Sequence, residues 1–201
     1  MWPNCCDRVA GLPILGAVIG DGFEDVLRAA QGGSGQAFSQ LWRDGNPALL
    51  RYLRVMVPEA PEDVAADTWV HVVRRLVAFR GDEREWRAWL FTTARRRAID
   101  ERRRRSRRPV APLAEVAPDQ LPVCQDAAEV AIEHLATRSV MALVARLPAL
   151  QAEVLMLRVV AGLDNEAVAR LTGRSAGAVR VAAHRGLRRL AQILAETGVT
   201  L

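Results

Sequence analysis

The sequence predicts an all-α fold in which two small helical domains are joined by a flexible linker. Apolar residues recur at helical spacing on both sides of the chain's middle, and residues 164–190 contain two short helical patterns separated by a tight turn. Between these regions, residues 109–137 contain no Arg, five acids and four Pro that fall before Cys124. The 201 residues suit one or two compact domains, and their 50% apolar content can supply a core for each.

The net charge indicates what kind of partner the protein can bind, and the cysteine content indicates the cellular compartment in which it is expected. All 28 basic residues are Arg, which we attribute to the codon usage of a GC-rich genome, and the net charge of +5 permits a polyanionic partner. Cys5 and Cys6 are adjacent and Cys124 stands alone, so they form neither a disulfide framework nor a metal-binding C-x-x-C pair. The expected location is therefore a reducing cytoplasm.

The sequence contains no pattern that indicates catalysis or metal binding. His71, His134 and His184 are scattered, and none lies at metal-ligand spacing from another His or Cys. It also contains no recognisable nucleophile and base pair and no phosphate-binding glycine loop. We therefore expect no enzyme activity, no cofactor, no metal and no small-molecule substrate.

Residues 1–21 are interpreted as a flexible N-terminal extension. Val9 to Ile19 is apolar, but it is too short to span a bilayer and is broken by Pro13 and Gly16, so membrane insertion is not expected. A translation start assigned too early and a signal peptide are the two alternatives.

The first helical domain is expected at residues 22–108. Its first helix covers Phe23 to Gln31. A second helical segment follows, with an apolar stripe of Ala37, Phe38, Leu41 and Trp42. Pro47 is expected to open a third segment, because Pro is favoured at the first position of a helix.

An acidic face is predicted on the helix that begins near Pro61. The apolar stripe of this helix consists of Trp69, Val72, Val73 and Leu76. Asp63 and Asp67 lie four residues apart on the other side, where like charges repel each other. Acids in a first turn complement the helix dipole, which is the alternative explanation, but Asp67 lies beyond that turn. We interpret the pair as a protein-docking face.

A basic region follows the acidic face. Arg80 to Glu85 is expected to be a charged loop, and the helix that begins at Trp86 becomes steadily more basic, with nine Arg and two acids between Arg95 and Arg108. Guanidinium groups and nearby aromatic rings suit single-stranded DNA, where they contact phosphates and splayed bases. At least one of Trp86 and Trp89 is expected in the core, and we favour Trp89. A frayed basic tail that binds any polyanion is the alternative.

The linker is assigned to residues 109–136. Its first half is expected to be extended and mobile, and the pattern from Asp126 to Leu135 is compatible with a helix. Its negative charge would complement a positive channel that later holds nucleic acid.

Residues 137–195 are expected to form a second domain of about four helices, followed by a tail at 196–201. Gly162 closes the helix that precedes a helix-turn-helix motif. In this motif the first helix is Asn165 to Leu171, Gly173 supplies a positive φ, and Ser175 caps the second helix.

The second helix of this motif has two faces. Its inner face is expected to contain Val179, Ala183, Gly186, Leu187 and Leu190. Its outer face is expected to contain Arg180, Val181, His184, Arg185 and Arg188. Six Arg and no acid lie between Arg170 and Arg189, whereas ordinary surface helices mix both signs of charge. We interpret the outer face as a major-groove reading surface with flanking phosphate contacts; a surface helix with solvated arginines is the alternative.

The two domains together resemble the extracytoplasmic-function (ECF) sigma factors of the sigma-70 family. The first domain carries PEDVAADTWVHVVRRL and EWRAWLFTTARRRAIDERRRR, and the second carries LPALQAEVLMLRVVAGLDNEAVARLTGRSAGAVRVAAHRGLRRL. This resemblance implies a promoter-recognition subunit of bacterial RNA polymerase. It further implies that a region 2 domain docks on the clamp helices of the largest polymerase subunit and opens the -10 element, while a region 4 domain reads the -35 element.

The resemblance also implies roles for individual residues. The core polymerase-binding positions are Asp63, Ala66, Asp67 and Val70, with Ala66 in place of the usual Gln. The -10 DNA-binding positions are Arg80, Arg84, Trp86, Arg95, Arg96 and Arg97. The -35 DNA-binding positions are Arg174, Ser175, Arg180, Val181, His184, Arg185 and Arg188. Val181 replaces a polar family residue and is suited to contact a thymine methyl group.

A separate protein is expected to control this chain. Nothing before Phe23 resembles the acidic autoinhibitory region of housekeeping sigma factors, so the resemblance implies an anti-sigma factor as a partner, besides core RNA polymerase and promoter DNA. The alternative function is a two-domain helix-turn-helix regulator that binds duplex DNA without being a polymerase subunit. That alternative would account for the second domain alone.

Overall fold

A computed structural model describes residues 19–107 and 139–197, and within these ranges the chain forms α-helices and no β-strand. The helices are α1 Phe23–Gln31, α2 Gly35–Met56, α3 Pro61–Arg75, α4 Glu83–Ser106, α5 139–145, α6 Ala149–Leu155, α7 Asn165–Thr172 and α8 Ala176–Thr197. The predicted linker, including its helical pattern, and most of the predicted N-terminal extension and C-terminal tail lie outside the described residues. The predicted all-α class is confirmed.

Local chemistry sets the beginnings of four of these helices. The Ser34 side chain accepts a hydrogen bond from the Ala37 amide at the start of α2, and the Asp164 side chain accepts one from Ala167 at the start of α7. Pro61 occupies the first turn of α3, where its missing amide proton costs nothing. At α4, Asp82 and Glu85 form a reciprocal capping box.

The first domain is built around apolar side chains from α2, α3 and α4. Its largest fully buried residues are Leu41, Leu49, Tyr52, Leu53, Val57, Val72, Trp86, Leu90 and Phe91. Helix α1 packs on α2, and α3 packs on both α2 and α4. The Tyr52 and Phe91 rings meet edge to face with centroids 5.5 Å apart, a favoured aromatic geometry.

Pro47 does not open a third helical segment, and the prediction that it would is wrong. Helix α2 runs without interruption through Pro47 from Gly35 to Met56. Leu41 lies before Pro47 and Leu49 after it, and both are fully buried in the same core. Burial of this continuous apolar face offsets the roughly 3 kcal/mol that a proline costs inside a helix.

Three other expectations for the first domain are corrected. Trp42 was placed in the apolar stripe of the second segment, but it is 43% exposed, because Leu41 faces the core instead. Val73 was placed in the apolar stripe of α3, but it is 52% exposed, because the core contacts Trp69, Val72 and Leu76 instead. The charged loop was expected to extend to Glu85, but α4 begins at Glu83, because the capping box starts the helix three residues before Trp86.

A buried charge cluster attaches the first turns of α4 to α2. Arg87 donates hydrogen bonds to both carboxylate oxygens of Asp44, at 3.3 and 3.2 Å, and to Glu83 one turn earlier. Burial raises the pKa of Asp44 to about 6, while the Arg87 cation acts in the opposite direction. Because removing one partner of such a cluster leaves a buried charge, the orientation of α4 depends on both residues.

The second domain places α8 across α6 and α7. Its described part consists of four helices, as predicted, with a π-helical turn from Met156 to Val160 after α6. Gly162 has φ +67° where this segment ends, which agrees with its predicted role. At Gly186, a β-carbon would lie 2.9 Å from Leu155 Cδ1, so the absence of a side chain allows α8 to approach α6 closely.

The two domains contact each other. Helix α2 packs against α6 and the π-helical turn, and α4 packs against α7. These contacts bring the basic helix of the first domain next to the helix-turn-helix of the second.

Candidate nucleic-acid and protein interfaces

The predicted docking residues lie together on the outer face of α3. Asp63, Ala66, Asp67 and Val70 are all exposed. Val73 and Val77 extend the same side of the chain and are 52% and 66% exposed. The result is a surface of two carboxylates beside three valines. Such a combination of apolar area and charge suits binding to another protein.

A hydrogen bond from α4 holds the backbone of α3 next to this face. Arg97 Nε donates a hydrogen bond to the backbone oxygen of Asp67 at 3.0 Å, which leaves the Asp67 carboxylate facing solvent. Arg97 was predicted to contact DNA, and the structure places it against the acidic helix instead of on an open basic surface. The guanidinium therefore links the α3 face to the α4 face.

The loop before α4 is held by two sets of hydrogen bonds. Gln31 Nε2 on α1 donates to the backbone oxygens of Leu76 and Phe79, at 3.0 and 2.9 Å. Arg80 Nη1 donates to the oxygens of Val77 and Phe79, both at 2.7 Å. The role of Gln31 was not predicted, because the partner atoms are backbone oxygens 45 and 48 residues away, which leave no trace in the sequence.

The two tryptophans of α4 have the reverse of their expected positions. Trp86 is 1% exposed and packs against Phe23 and Phe79, so its ring is not accessible for stacking on a base. Trp89, which was favoured as the core residue, is partly exposed and stacks on Phe79 with ring centroids 5.1 Å apart. The sequence spacing could not separate them, because residues three apart share one helix face and Phe23 selects the inner one.

The arginines of α4 differ in what they contact. Arg95 Nε donates to Glu153 Oε1 at 2.7 Å, and Arg84 Nη2 donates to Asp164 Oδ2 at 2.8 Å, so both reach the second domain. Arg96 is exposed and has no hydrogen bond or ion pair with any residue that the structure describes. Arg96 is therefore the predicted -10 residue of this helix that is free to bind an anion.

The helix-turn-helix has the geometry that the sequence predicts. Gly173 adopts φ +69° at the end of α7, and Ser175 Oγ accepts a hydrogen bond from the Ala178 amide at the start of α8. Val168 and Val179 are fully or almost fully buried between the two helices. The hydroxyl of Ser175 is thus used as a helix cap, and Arg174 is exposed beside it.

The outer face of α8 exposes the predicted reading residues. Arg180, Val181, His184, Arg185 and Arg188 are all exposed, with Val181 at 49%. None of the five has a side-chain hydrogen bond or ion pair among residues 19–107 and 139–197. The face therefore presents several cations and one apolar side chain to solvent.

The predicted position of Leu187 on this helix is wrong. It was assigned to the inner face but is 52% exposed, whereas Ala182 is 6% exposed and takes part in the core. The inner row is centred on Val179, Ala183 and Gly186, which face α6 and α7, and Leu187 lies beyond the edge of that contact.

Other kinds of site are not found in the part of the chain that the structure describes. Within residues 19–107 and 139–197, no group of three or more His, Cys, Asp or Glu side chains is placed to hold a metal ion. None of the described helices is both long and apolar enough to cross a membrane.

Comparisons with known proteins match both domains. The family described as Sigma-70 region 2 matches residues 41–108, and the family described as Sigma-70, region 4 matches residues 137–190. The ECF RNA polymerase sigma factor SigD of Mycobacterium tuberculosis is 31% identical over 185 residues, which cover 89% of this chain and 87% of SigD. The ECF RNA polymerase sigma factor ShbA of Streptomyces griseus is 34% identical over 176 residues, which cover 82% of this chain and 91% of ShbA.

Solved structures show a similar fold. CnrH, in complex with the cytosolic domain of CnrY, has a TM-score of 0.59 and 24% identity, and the match covers 88% of this chain and 99% of CnrH. The sigma factor RpoE of Bartonella quintana, in complex with the anti-sigma factor NepR, has a TM-score of 0.57 and 22% identity, with 78% and 96% covered.

Proposed function

The chain belongs to the ECF RNA polymerase sigma factors of the sigma-70 family, and from this premise we propose how its surfaces divide the work of initiation. As a member of this family it binds core RNA polymerase and directs transcription from specific promoters. The first domain docks on the polymerase and handles the -10 element, and the second reads the -35 element. The alternative of a regulator that is not a polymerase subunit leaves the region 2 match unexplained.

The observation that carries the -35 assignment is the outer face of α8. It exposes three arginines and a histidine behind the Gly173 turn, with no acid between Arg170 and Arg189. A recognition helix with this charge can bind phosphates and hydrogen-bond acceptors on base edges in the major groove. Arg180 and Arg185 are proposed as base contacts, and Arg174 and Arg188 as contacts to the phosphate backbone.

The α3 face is proposed as the polymerase-docking surface, with the clamp helices of the largest subunit as its partner. Asp63 and Asp67 provide charge, and Val70, Val73 and Val77 provide apolar area. The exposed valines offer a physical reason why Ala66 suffices where the family usually has Gln. Apolar burial supplies affinity, and the two carboxylates supply orientation and rate.

The loop before α4, together with Arg84 and Arg96, is proposed to hold the melted -10 strand. Trp89 takes the aromatic role in place of buried Trp86, because its ring is partly exposed beside Phe79. Stacking of a base on an aromatic ring contributes about 1–3 kcal/mol and tolerates any base.

Control by an anti-sigma factor is part of the proposal. The solved structures of CnrH and RpoE contain the partners CnrY and NepR, and this chain has a similar fold. We expect a corresponding inhibitor protein for this chain, action in the cytoplasm where bacterial polymerase is found, and no catalytic activity of its own.

The docking proposal is tested by reversing the charge of the α3 face. Like charges across an interface can cost several kcal/mol, so Asp63→Arg with Asp67→Arg should abolish capture of core polymerase in a pull-down assay. The second domain should still bind -35 duplex DNA.

A charge-matched control separates docking from net charge. Asp21→Arg with Glu24→Arg changes two exposed acids at the start of α1 and just before it, and should leave polymerase capture unchanged. Circular dichroism establishes that both variants are folded. Wild-type capture by the folded Asp63 and Asp67 variant would show that the docking surface lies elsewhere.

A further inference from the structure

The contact between the two domains contains a buried carboxylate. Glu153 lies on α6 in the second domain and is 8% exposed. Arg95 on α4 donates two hydrogen bonds to it, at 2.7 and 3.4 Å, and the Tyr52 hydroxyl lies 3.4 Å from Glu153 Oε1. We call Tyr52, Arg95 and Glu153 the interdomain clasp.

The partners of Glu153 come from the other domain. Tyr52 is fully buried in the first-domain core, so its hydroxyl is fixed in position. Burial raises the pKa of Tyr52, and the Glu153 carboxylate adds to this effect, so the phenol stays protonated and can donate a hydrogen bond to the carboxylate. A charged carboxylate at this depth is favourable only while its partners remain in place. The interactions of the clasp therefore form only in this arrangement of the two domains.

A second ion pair lies across the same contact. Arg84 Nη2 is 2.8 Å from Asp164 Oδ2, with side-chain exposures of 77% and 42%. An exposed pair of this kind contributes little energy, but it has the same polarity as the clasp. In both pairs the first domain supplies the arginine and the second domain supplies the acid.

The arrangement in which the clasp is closed cannot bind a whole promoter. The -10 and -35 elements are separated by roughly 25 base pairs, which is about 85 Å of B-form duplex. Helix α4, which carries the proposed -10 residues, is in contact with α7, the first helix of the helix-turn-helix, in this structure. The domains must therefore separate before both elements are bound, and separation takes Glu153 away from Arg95.

We propose that Arg95 is a shared anion-binding site, which holds the Glu153 carboxylate when the domains are in contact and a phosphate of single-stranded DNA when they are apart. This inference rests on the proposed role of α4 at the -10 element. A carboxylate and a phosphate offer similar oxygen acceptors to a guanidinium group, and one guanidinium cannot take both in the same geometry. The closed clasp thus weakens the binding of single-stranded DNA by the free protein.

The test measures binding of a fluorescein-labelled single-stranded oligothymidylate of about 12 nucleotides, a length within the usual site size for such surfaces. Glu153→Gln in the full-length protein removes the competing charge while keeping the side-chain shape. If about a tenth of the wild-type molecules are open, releasing the clasp should tighten binding by up to about tenfold.

A matched control addresses net charge. Glu166→Gln removes one exposed acid from the same domain, outside the clasp, and should leave the affinity for the oligonucleotide unchanged. An equal gain in both variants would overturn the proposal, because it would show that overall charge alone sets the affinity. Unchanged binding by Glu153→Gln would also overturn it.

Arg95→Ala identifies the shared residue. In the Glu153→Gln background the substitution should weaken oligonucleotide binding by about tenfold, whereas in the wild-type background, where Glu153 already occupies Arg95, the loss should be about twofold or less. Equal losses in the two backgrounds would mean that Glu153 does not compete for Arg95.

A distance measurement reports the domain contact directly. Fluorescent labels at Glu24→Cys and Glu196→Cys, with Cys5, Cys6 and Cys124 replaced by Ser, should show lower energy transfer in Glu153→Gln than in the otherwise wild-type chain. If Glu153→Gln does not fold, Tyr52→Phe keeps the core ring and removes the clasp hydroxyl, and it should move both readouts the same way by a smaller amount. Unchanged energy transfer in the folded variant would contradict the proposal.

Polymerase capture distinguishes failure of the clasp from failure of the proposed function. The wild-type chain should capture core polymerase whether or not the clasp exists. Normal capture with unaltered oligonucleotide binding by Glu153→Gln would remove the clasp proposal alone, whereas a wild-type chain that fails to capture polymerase would remove its premise.

Discussion

The two basic surfaces of the molecule carry similar charge but differ in what their arginines contact. On α4, Arg84 and Arg95 pair with acids of the second domain, and Arg97 binds a backbone oxygen of α3. On α8, Arg180, Arg185 and Arg188 have no partner among the described residues. Arginine counts in the sequence do not reveal this difference, because each of these acids and oxygens is far from its arginine along the chain.

This difference teaches that the two surfaces are ready for DNA to different degrees. The predicted reading residues of α8 can contact a duplex as they stand, since none of the five has a side-chain partner among the described residues. The α4 face must exchange intramolecular hydrogen bonds for contacts with DNA, so the net gain from each arginine is smaller. Substitutions on the two faces should therefore differ in size and in their dependence on the state of the DNA.

The largest effect is expected at Arg185 on the outer face of α8. A bidentate contact from an arginine to a base edge contributes about 1–3 kcal/mol of discrimination, so Arg185→Ala should weaken -35 binding by that amount and by different factors for different -35 sequences. Polymerase capture should be unaffected. The measurement is duplex binding by the polymerase holoenzyme over a set of single-base -35 variants.

Arg146→Ala, an exposed arginine of the same domain outside the recognition helix, is the control and should have little effect on any sequence. A loss in Arg185→Ala that is uniform over all -35 sequences would make this residue a phosphate contact.

An intermediate effect is expected at Arg96, the predicted -10 arginine of α4 that has no partner among the described residues. Arg96→Ala should reduce transcription from a closed duplex about fivefold to tenfold more than from a template already mismatched across the -10 element. The mismatch removes the unpairing cost, which is a few kcal/mol for an extruded base.

The measurement is initiation by holoenzyme on the two templates, with Arg28→Ala on α1 as an exposed control in the same domain. Equal losses on both templates would mean that Arg96 neutralises phosphate without taking part in opening.

The smallest effect is expected at Val181, which is the apolar side chain on the outer face of α8. A Val side chain at 49% exposure among arginines can pack on the methyl group of a thymine in the major groove. Val181→Ala should weaken binding by about 0.5–1 kcal/mol, the size expected for a buried methyl or methylene group.

Replacing thymines of the -35 element one at a time with deoxyuridine removes the methyl group alone. At the contacted position the two changes should be non-additive, since each removes the same contact. Additive losses at every thymine would exclude a Val181 contact with a methyl group.

The helix-turn-helix shows how much of a site can be predicted from local patterns. Gly173 was expected to adopt a positive φ and Ser175 to cap α8, and both features are present because each depends on residues within a few positions. The exposure of all five predicted reading residues on α8 was likewise expected from helical periodicity.

Most of the errors occur where two faces of one helix compete for the core. Trp86 and Trp89 both fit an inward position and both contact Phe79, and Trp86 is the buried one because Phe23 also packs against it. Val73 and Leu187 lie at the edges of their apolar stripes, and both are exposed because no helix of the described residues covers them. Pro47 is a different error, in which packing of a long helix outweighed a local preference.

The sequence by itself determined the helical class, the caps, the turn of the recognition motif and the charge of each surface, because all of these depend on residues close together along the chain. Only the tertiary structure decided which surfaces are free. The contact of Arg95 with Glu153 joins residues 58 positions apart, and that of Arg84 with Asp164 joins residues 80 apart. Pairings at such separations depend on how whole helices pack, and a periodicity of 3.6 residues carries no information about them.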